Sequence, residues 1–265
     1  MNKLKIALAQ IKTDRNYKIN LEKIIDFMQK AKSFGAELVV FPETSQAFVP
    51  SNEGINFNTI AQNIDEEFVT SIINKSKELN IAVVFGFYEK DNEKTKNSVI
   101  FADCGKIIHK YSKTHLYDAF SYDESKDINA SNEKIKAFDT KWGKMGIMVC
   151  YELRFPEIAR TLALDGARLV LVPTAWVDGK YKDEHFMLLT KTRALENTIY
   201  LCASNQTGNI YTGRSCLINP LGLEEIKFGV DEGIQIFEID FNKIDEVRKA
   251  LPCISQRKPK LYNLH

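Results

Sequence analysis

The stretch that decides the fold is residues 146–155, GIMVCYELRF. Its apolar run ends in Cys150 and then turns polar, which predicts a buried strand over 146–150 followed by a helix. Such a corner places a thiol at the edge of a sheet, where N–H groups at a helix start lower a thiol's pKa and bind developing negative charge. A lone cysteine in an apolar strand is more often an inert core residue. Other parts of the chain must therefore decide whether Cys150 is a nucleophile.

Length and composition indicate an ordinary globular protein. The 265 residues are 44% hydrophobic, carry a formal net charge of +1, and are enough for one large core. This charge favours neither a nucleic acid nor a membrane partner. Five cysteines without a CxxC pair predict no disulfide framework and no metal site, and no apolar run matches a signal peptide or a membrane span. We expect a cytoplasmic protein.

Strands and helices alternate along the chain. Residues 20–34 and 66–79 have helical spacing of apolar positions, and strands are predicted over segments such as 135–138. Leu38–Pro42 and Leu169–Pro173 repeat one design, a short apolar strand that follows a glycine-ended helix and precedes a proline. A hairpin around Cys104-Gly105 predicts mixed sheets. The whole pattern predicts one α/β domain over 1–265, with two layers of sheet, helices on the outer faces and a polar tail from about 254 to 265.

Ionisable residues follow three of the predicted strands. Glu43, Lys113 and Cys150 each come where an apolar run ends, and catalytic groups collect at the carboxyl ends of strands in α/β folds. Taken singly, Glu43 and Lys113 are more often solvated surface residues. Because all three obey one positional rule, we expect them to converge.

A histidine base is the alternative. Cysteine hydrolases commonly pair the thiol with histidine, and His115 or His185 would fill that role in an acyl transferase or peptidase. No nearby Asp or Asn signal marks His115 as part of a Cys–His pair, so a histidine base is second to the carboxylate base.

Three separated motifs carry a resemblance to the nitrilase superfamily of carbon–nitrogen hydrolases. They are Phe41-Pro42-Glu43, Lys113-Thr114-His115-Leu116 and the run from Cys150 to Glu157, and the similarity extends from Ile6 to beyond Gly222. The resemblance implies an α-β-β-α sandwich, a homodimer and a Glu–Lys–Cys triad. It also implies a second glutamate at Glu124, although residues 127–131 lack the Ser-Pro-Gly that often follows in relatives. A non-catalytic binding module of this fold would lack a triad residue, and here all three are present.

The implied reaction is hydrolysis of an amide through a thioester. Glu43 takes the thiol proton of Cys150, while Lys113 and the backbone N–H of Tyr151 hold the oxyanion. Water, activated by Glu43 with help from Glu124, then releases the acid. No cofactor or metal is needed for these steps.

The form CYELRFPE resembles the omega-amidase branch, whose substrates are 2-oxo acids with a terminal amide, such as 2-oxoglutaramate. Arg154 is the candidate partner for a substrate carboxylate, with a structural salt bridge to Glu152 or Glu157 as the alternative. Alternative substrates are deaminated glutathione, N-carbamoyl amino acids and aliphatic amides. The further predicted pocket residues are Tyr117, Tyr151, Trp176 and His185.

Overall fold

The computed structural model describes residues 2–50 and 53–262. Within them, the strands of the two large sheets are β1 (Lys3–Gln10), β2 (Leu38–Val40), β3 (Ala82–Asp91), β4 (Lys94–Asp103), β5 (Lys106–Ser112), β6 (Phe138–Thr140), β7 (Gly143–Ile147), β8 (Leu169–Thr174), β9 (Tyr200–Asn205), β10 (Cys216–Ile218), β11 (Glu224–Lys227) and β12 (Gly233–Asp240). The α-helices of the same residues are α1 (Tyr17–Ser33), α2 (Glu67–Leu79), α3 (Pro156–Leu164), α4 (Lys182–Asn197) and α5 (Asn242–Ala250). None of these described helices is long and apolar enough to cross a membrane.

The two sheets have matching strand orders. The first runs β12-β1-β2-β3-β4-β5, and the second, listed from the corresponding edge, runs β6-β7-β8-β9-β10-β11. In each sheet the three strands around the centre are parallel and the outer pairings are antiparallel. The sheets are therefore mixed, as predicted. The two strands that share a sequence design, β2 and β8, occupy corresponding central positions, which explains why their sequences are alike.

The layers are helix, sheet, sheet, helix. One face of the first sheet, with Leu8 and Val40, shares a buried cluster with the second sheet. The opposite face, with Ala7 and Val39, packs against α1 and α2. On the second sheet, α3 lies over β7, where Leu162 packs directly on Gly146. The predicted α-β-β-α sandwich is confirmed.

Helix α1 shows how local sequence sets an element's bounds. The side chain of Asn16 accepts a hydrogen bond from the backbone N–H of Lys18 at 3.0 Å and so caps the first turn. Leu21, Ile24 and Met28 fall on one buried face at helical spacing.

Several predicted boundaries are wrong. Strand β7 ends at Ile147, and Cys150 opens a 3-10 turn over Cys150–Arg154 ahead of α3. The strand stops early because the backbone N–H of Val149 donates to the carboxylate of Glu152 at 2.7 Å.

The strand predicted over 135–138 lies at Phe138–Thr140, since the N–H of Ala137 is used by Asp165. Strand β11 was not predicted because its residues are mostly polar. The predicted tail contains a 3-10 turn over Pro259–Leu261, and its last residues, 263–265, lie outside the described residues.

Candidate active site

The three residues predicted at strand ends meet at one point between the sheets. Lys113 Nζ lies 3.0 Å from Glu43 Oε1, and it also contacts both oxygens of Glu124 at 3.1 and 2.8 Å. The exposed fractions of Glu43, Lys113, Glu124 and Cys150 are 3, 2, 7 and 9%. The charge of Glu43 acts directly on the Cys150 thiol. Four residues that are far apart in sequence thus form one buried group.

Neighbouring groups leave the two carboxylates little freedom. The amide nitrogen of Asn97 donates to Glu43 at 2.6 Å and to Glu124 at 3.3 Å. Glu43 also accepts from the backbone N–H of Ala175 at 2.8 Å, and Glu124 from that of Tyr117 at 2.7 Å. The sequence analysis did not find Asn97, because an asparagine within a strand carries no motif.

The backbone has unusual geometry at both the thiol and the carboxylate. Cys150 has a φ of +47°, in the left-handed region that non-glycine residues rarely adopt, and Thr44, next to Glu43, has a φ of +45°. Strand β3 comes so close to Glu43 that a Cβ added at Gly86 would lie 2.6 Å from the Thr44 nitrogen and 2.9 Å from the Glu43 Cα. Because glycine has no Cβ, Gly86 permits this close approach of β3 to the backbone of Glu43.

Burial and neighbouring charges shift the pKa values of Cys150 and Lys113. Burial raises the pKa of the Cys150 thiol and the negative charge of Glu43 raises it further, and the opposing effects of Lys113 and the Ala175 N–H do not reverse this. Burial lowers the pKa of Lys113, but Glu124 and Glu43 outweigh burial and hold it well above its ordinary value. The expectation that the corner lowers the thiol's pKa is wrong. The resting thiol is protonated and needs a base when it attacks.

Glu152 ties the Lys113 loop to the Cys150 turn. Its side chain is fully buried, and it accepts from the N–H of Val149 on one oxygen and from Tyr111, Thr114 and His115 on the other. Burial raises the pKa of Glu152, but these hydrogen bonds outweigh burial and lower it. Glu152 is therefore a fixed carboxylate between two of the three strand ends, a role that the sequence analysis did not assign.

The buried group opens onto a cavity of about 660 Å³. All nine residues predicted for catalysis or substrate binding line it: Glu43, Lys113, Tyr117, Glu124, Cys150, Tyr151, Arg154, Trp176 and His185. The volume is in the range of about 300–1,000 Å³ that is typical of small-molecule sites.

Arg154 also lies in this cavity. Among the described residues it forms no salt bridge, and its Nε and Nη2 atoms are buried without a hydrogen bond. Its guanidinium carbon lies 5.1 Å from the centre of the Trp176 ring and 6.0 Å from that of Tyr151. The described residues show no salt bridge from Arg154 to Glu152 or Glu157, and the oxygens of Glu152 accept from other donors.

A second cation, Lys182, was missed. It lies in the first turn of α4, is 7% exposed and lines the same cavity. Nothing in the sequence distinguishes this lysine from the many on the surface; only the packing of α4 buries it.

The histidines are arranged differently from the carboxylates. His115 packs against Phe155 with ring centres 4.1 Å apart and the rings tilted by 35°, and its Nδ1 contacts the Thr114 hydroxyl at 2.8 Å. His185 lines the cavity, and its Nδ1 is buried without a hydrogen bond in the described part of the chain. The contacts that act on the Cys150 thiol come from Glu43, Lys113 and Ala175. The described residues contain no cluster of three or more His, Cys, Asp or Glu side chains able to hold a metal ion.

The site places a buried thiol beside a carboxylate and an ammonium group at the end of a cavity. This arrangement is suited to a cysteine hydrolase. Comparisons with known proteins agree with this class. A family model described as carbon-nitrogen hydrolase matches residues 5–249. The chain belongs to this family.

Individual relatives cover nearly the whole chain. It is 30% identical over 254 residues to a deaminated glutathione amidase of Escherichia coli, covering 96% of this chain and 97% of that protein. It is also 30% identical over 283 residues to omega-amidase NIT3 of Saccharomyces cerevisiae, covering 98% and 95%.

Solved structures show the same fold. The NitFhit protein of Caenorhabditis elegans superposes with a TM-score of 0.92 at 27% identity, covering all of this chain and 67% of that one. The Saccharomyces cerevisiae Nit3 structure, a member of the nitrilase superfamily, superposes with a TM-score of 0.86 at 27% identity, covering 98% and 97%. The predicted superfamily is confirmed, and the protein is a hydrolase of carbon–nitrogen bonds other than peptide bonds.

Proposed function

We propose that this protein is an amidase that releases ammonia from the terminal amide of a small carboxylic acid, with 2-oxoglutaramate as the first substrate to test. The observation that carries the proposal is the buried contact of Glu43, Lys113 and Cys150 at the end of a cavity that also contains Arg154. The names of the omega-amidase and deaminated glutathione amidase relatives support the substrate class.

In the first half of the reaction, Glu43 takes the proton of the Cys150 thiol as the sulfur attacks the amide carbonyl carbon. The resulting oxyanion is held by the ammonium of Lys113 and the backbone N–H of Tyr151. The carbon–nitrogen bond then breaks, Glu43 returns the proton to the leaving nitrogen, and ammonia departs. The acyl group remains on Cys150 as a thioester.

In the second half, water attacks the thioester and gives its proton to Glu43. The carbon–sulfur bond breaks, the acid leaves, and the thiol regains the proton. Glu124 is proposed to position Lys113 and not to activate water, because its two oxygens already accept hydrogen bonds from Lys113, Asn97 and the Tyr117 N–H.

An ammonia-release screen tests the proposal. It covers 2-oxoglutaramate, 2-oxosuccinamate, deaminated glutathione, N-carbamoyl amino acids, aliphatic amides and nitriles. We expect turnover of an amide by the wild type and none by Cys150→Ala. Glu43→Gln is expected to lower kcat by about 100- to 10,000-fold, the usual worth of a general base, and to leave an acyl group on Cys150 that mass spectrometry detects. Normal turnover by Cys150→Ala would refute the mechanism.

We also propose that residues 1–265 form one hydrolase domain and that the protein is a cytoplasmic homodimer. Support for the dimer comes from exposed leucines near the outer face of α4: Leu188 and Leu223 are 65% and 60% exposed, and Leu195 contacts the turn at Gly222. Light scattering after size exclusion tests the assembly, and a monomer at micromolar concentration would exclude it.

A further inference from the structure

Lys182 is a buried cation that forms no salt bridge with any carboxylate of the described residues. Its Nζ has three N–H donors, and in the described residues its hydrogen bond goes to the uncharged hydroxyl of Tyr117 at 2.9 Å. The same Nζ lies 3.8 Å from the centre of the Phe120 ring. Lysine is almost never fully buried unless it is paired. The free donors of Lys182 therefore call for an anion that the described chain does not supply.

Arg154 faces the same space. Its guanidinium carbon lies 6.0 Å from the centre of the Phe120 ring, so both cations contact one aromatic side chain. Burial lowers the pKa of Lys182, and the positive charge of Arg154 lowers it further, so the two cations repel each other. A negative group placed between them would relieve this repulsion and satisfy donors on both side chains.

The charge of the cavity indicates how many negative groups fit. Glu43, Glu124 and Asp178 carry the negative charges that line the cavity, and Lys113, Arg154, Lys180 and Lys182 carry the positive ones. These seven side chains sum to one positive charge, which one carboxylate brings to zero. The ring faces of Phe120, Tyr117 and Trp176 attract the two cations, but they supply no negative charge that cancels the excess.

We propose that Lys182 is a specificity-determining residue that binds, together with Arg154, the single carboxylate of an omega-monoamide of a dicarboxylic acid. The inference rests on the proposed amidase function and extends it by a residue that no motif marks. The hydroxyl of Tyr117 and the ring of Phe120 contact the ammonium group of Lys182 and position it in the cavity for this role.

The test compares glutaramate with glutaramide, which differ only in having a carboxylate or an uncharged amide at the far end. In the wild type we expect kcat/KM to be higher for glutaramate. In Lys182→Met this ratio is expected to fall about 10- to 100-fold, mainly through KM, as for the loss of one charged hydrogen bond. Lys182→Arg should retain the ratio within about threefold. Lys249→Met, which removes an exposed lysine that does not line the cavity, is the control and should not change it.

A binding measurement keeps the two proposals separate. Calorimetry compares the affinity for glutaramate of Cys150→Ala with that of the Cys150→Ala/Lys182→Met double variant, so no turnover is needed. We expect the double variant to bind glutaramate about 10- to 100-fold more weakly. Hydrolysis of both amides with an unchanged ratio in Lys182→Met would overturn the role of Lys182 and leave the amidase proposal intact. Absence of any ammonia release by the wild type would instead count against the amidase, and the glutaramate affinities would still decide on Lys182.

Discussion

The substitution Gly86→Ala tests whether the position of Glu43 depends on the close contact between the backbone of β3 and that of residues 43–44. The new Cβ would lie 2.6 Å from the backbone nitrogen of Thr44 and 2.9 Å from the Cα of Glu43, whereas ordinary contact begins at 3.4 Å. The clash is with backbone, which a rotamer change cannot relieve. Strand β3 and the 43–44 segment must therefore separate by about 0.8 Å, the difference between 2.6 and 3.4 Å.

Two effects follow from that separation. Overpacking of this kind costs about 1–3 kcal/mol of unfolding free energy, which corresponds to a fall in Tm of about 2–10 °C for a chain of this size. Displacement of a catalytic group by nearly 1 Å costs about 100-fold in rate. We expect kcat/KM for the preferred amide to fall by roughly that factor, with the Cys150 thiol still present and open to alkylation.

The assays are steady-state ammonia release and thermal unfolding of Gly86→Ala beside Gly229→Ala. Gly229 is the matched control, because no atom lies within 4 Å of a Cβ placed there and its backbone is not in the left-handed region. Wild-type kcat/KM and Tm in Gly86→Ala would refute the close-approach argument. A lower Tm with unchanged kcat/KM would show that the shift does not reach the Glu43 carboxylate.

Two further predictions concern charge. Glu152→Gln puts an amide N–H₂ group where an oxygen accepts hydrogen bonds. We therefore expect the free energy of unfolding, measured in urea at pH 7, to fall by about 1–3 kcal/mol. Because the folded-state pKa of Glu152 lies below its ordinary value of 4.5, this carboxylate's stabilisation is present above pH 4.5 and is lost as the pH falls through the folded pKa. The difference in unfolding free energy between wild type and variant should therefore be smaller at pH 3.5 than at pH 7. An equal difference at both pH values would contradict the lowered pKa. Glu43→Gln removes a negative charge that raises the thiol pKa, so the ultraviolet titration of Cys150 should move to lower pH even though turnover falls. A midpoint that is unchanged or higher would show that Glu43 is not the thiol's neighbour in solution.

The sequence was sufficient for the architecture and for the residues with motifs. Alternation of apolar strands and amphipathic helices predicts two layers of sheet, and the rule that catalytic groups follow strands brings Glu43, Lys113 and Cys150 together. Both are local patterns, since each depends on the order of apolar and polar residues within one segment. The exact end of β7 escaped this reasoning because the N–H of Val149 is taken by a side chain, Glu152, and not by a neighbouring strand.

Only the tertiary structure decided the environments of the functional side chains, because segments that are distant in sequence create them. The thiol pKa is raised, contrary to expectation, because burial and Glu43, 107 positions earlier in the chain, act on Cys150. Gly86 matters because β3 runs against the Glu43 backbone. Lys182 looks like any surface lysine until α4 folds over the cavity and surrounds its charge with aromatic rings. Solvation and charge interaction depend on distances in space, so a linear sequence specifies the groups that react but not the fields in which they act.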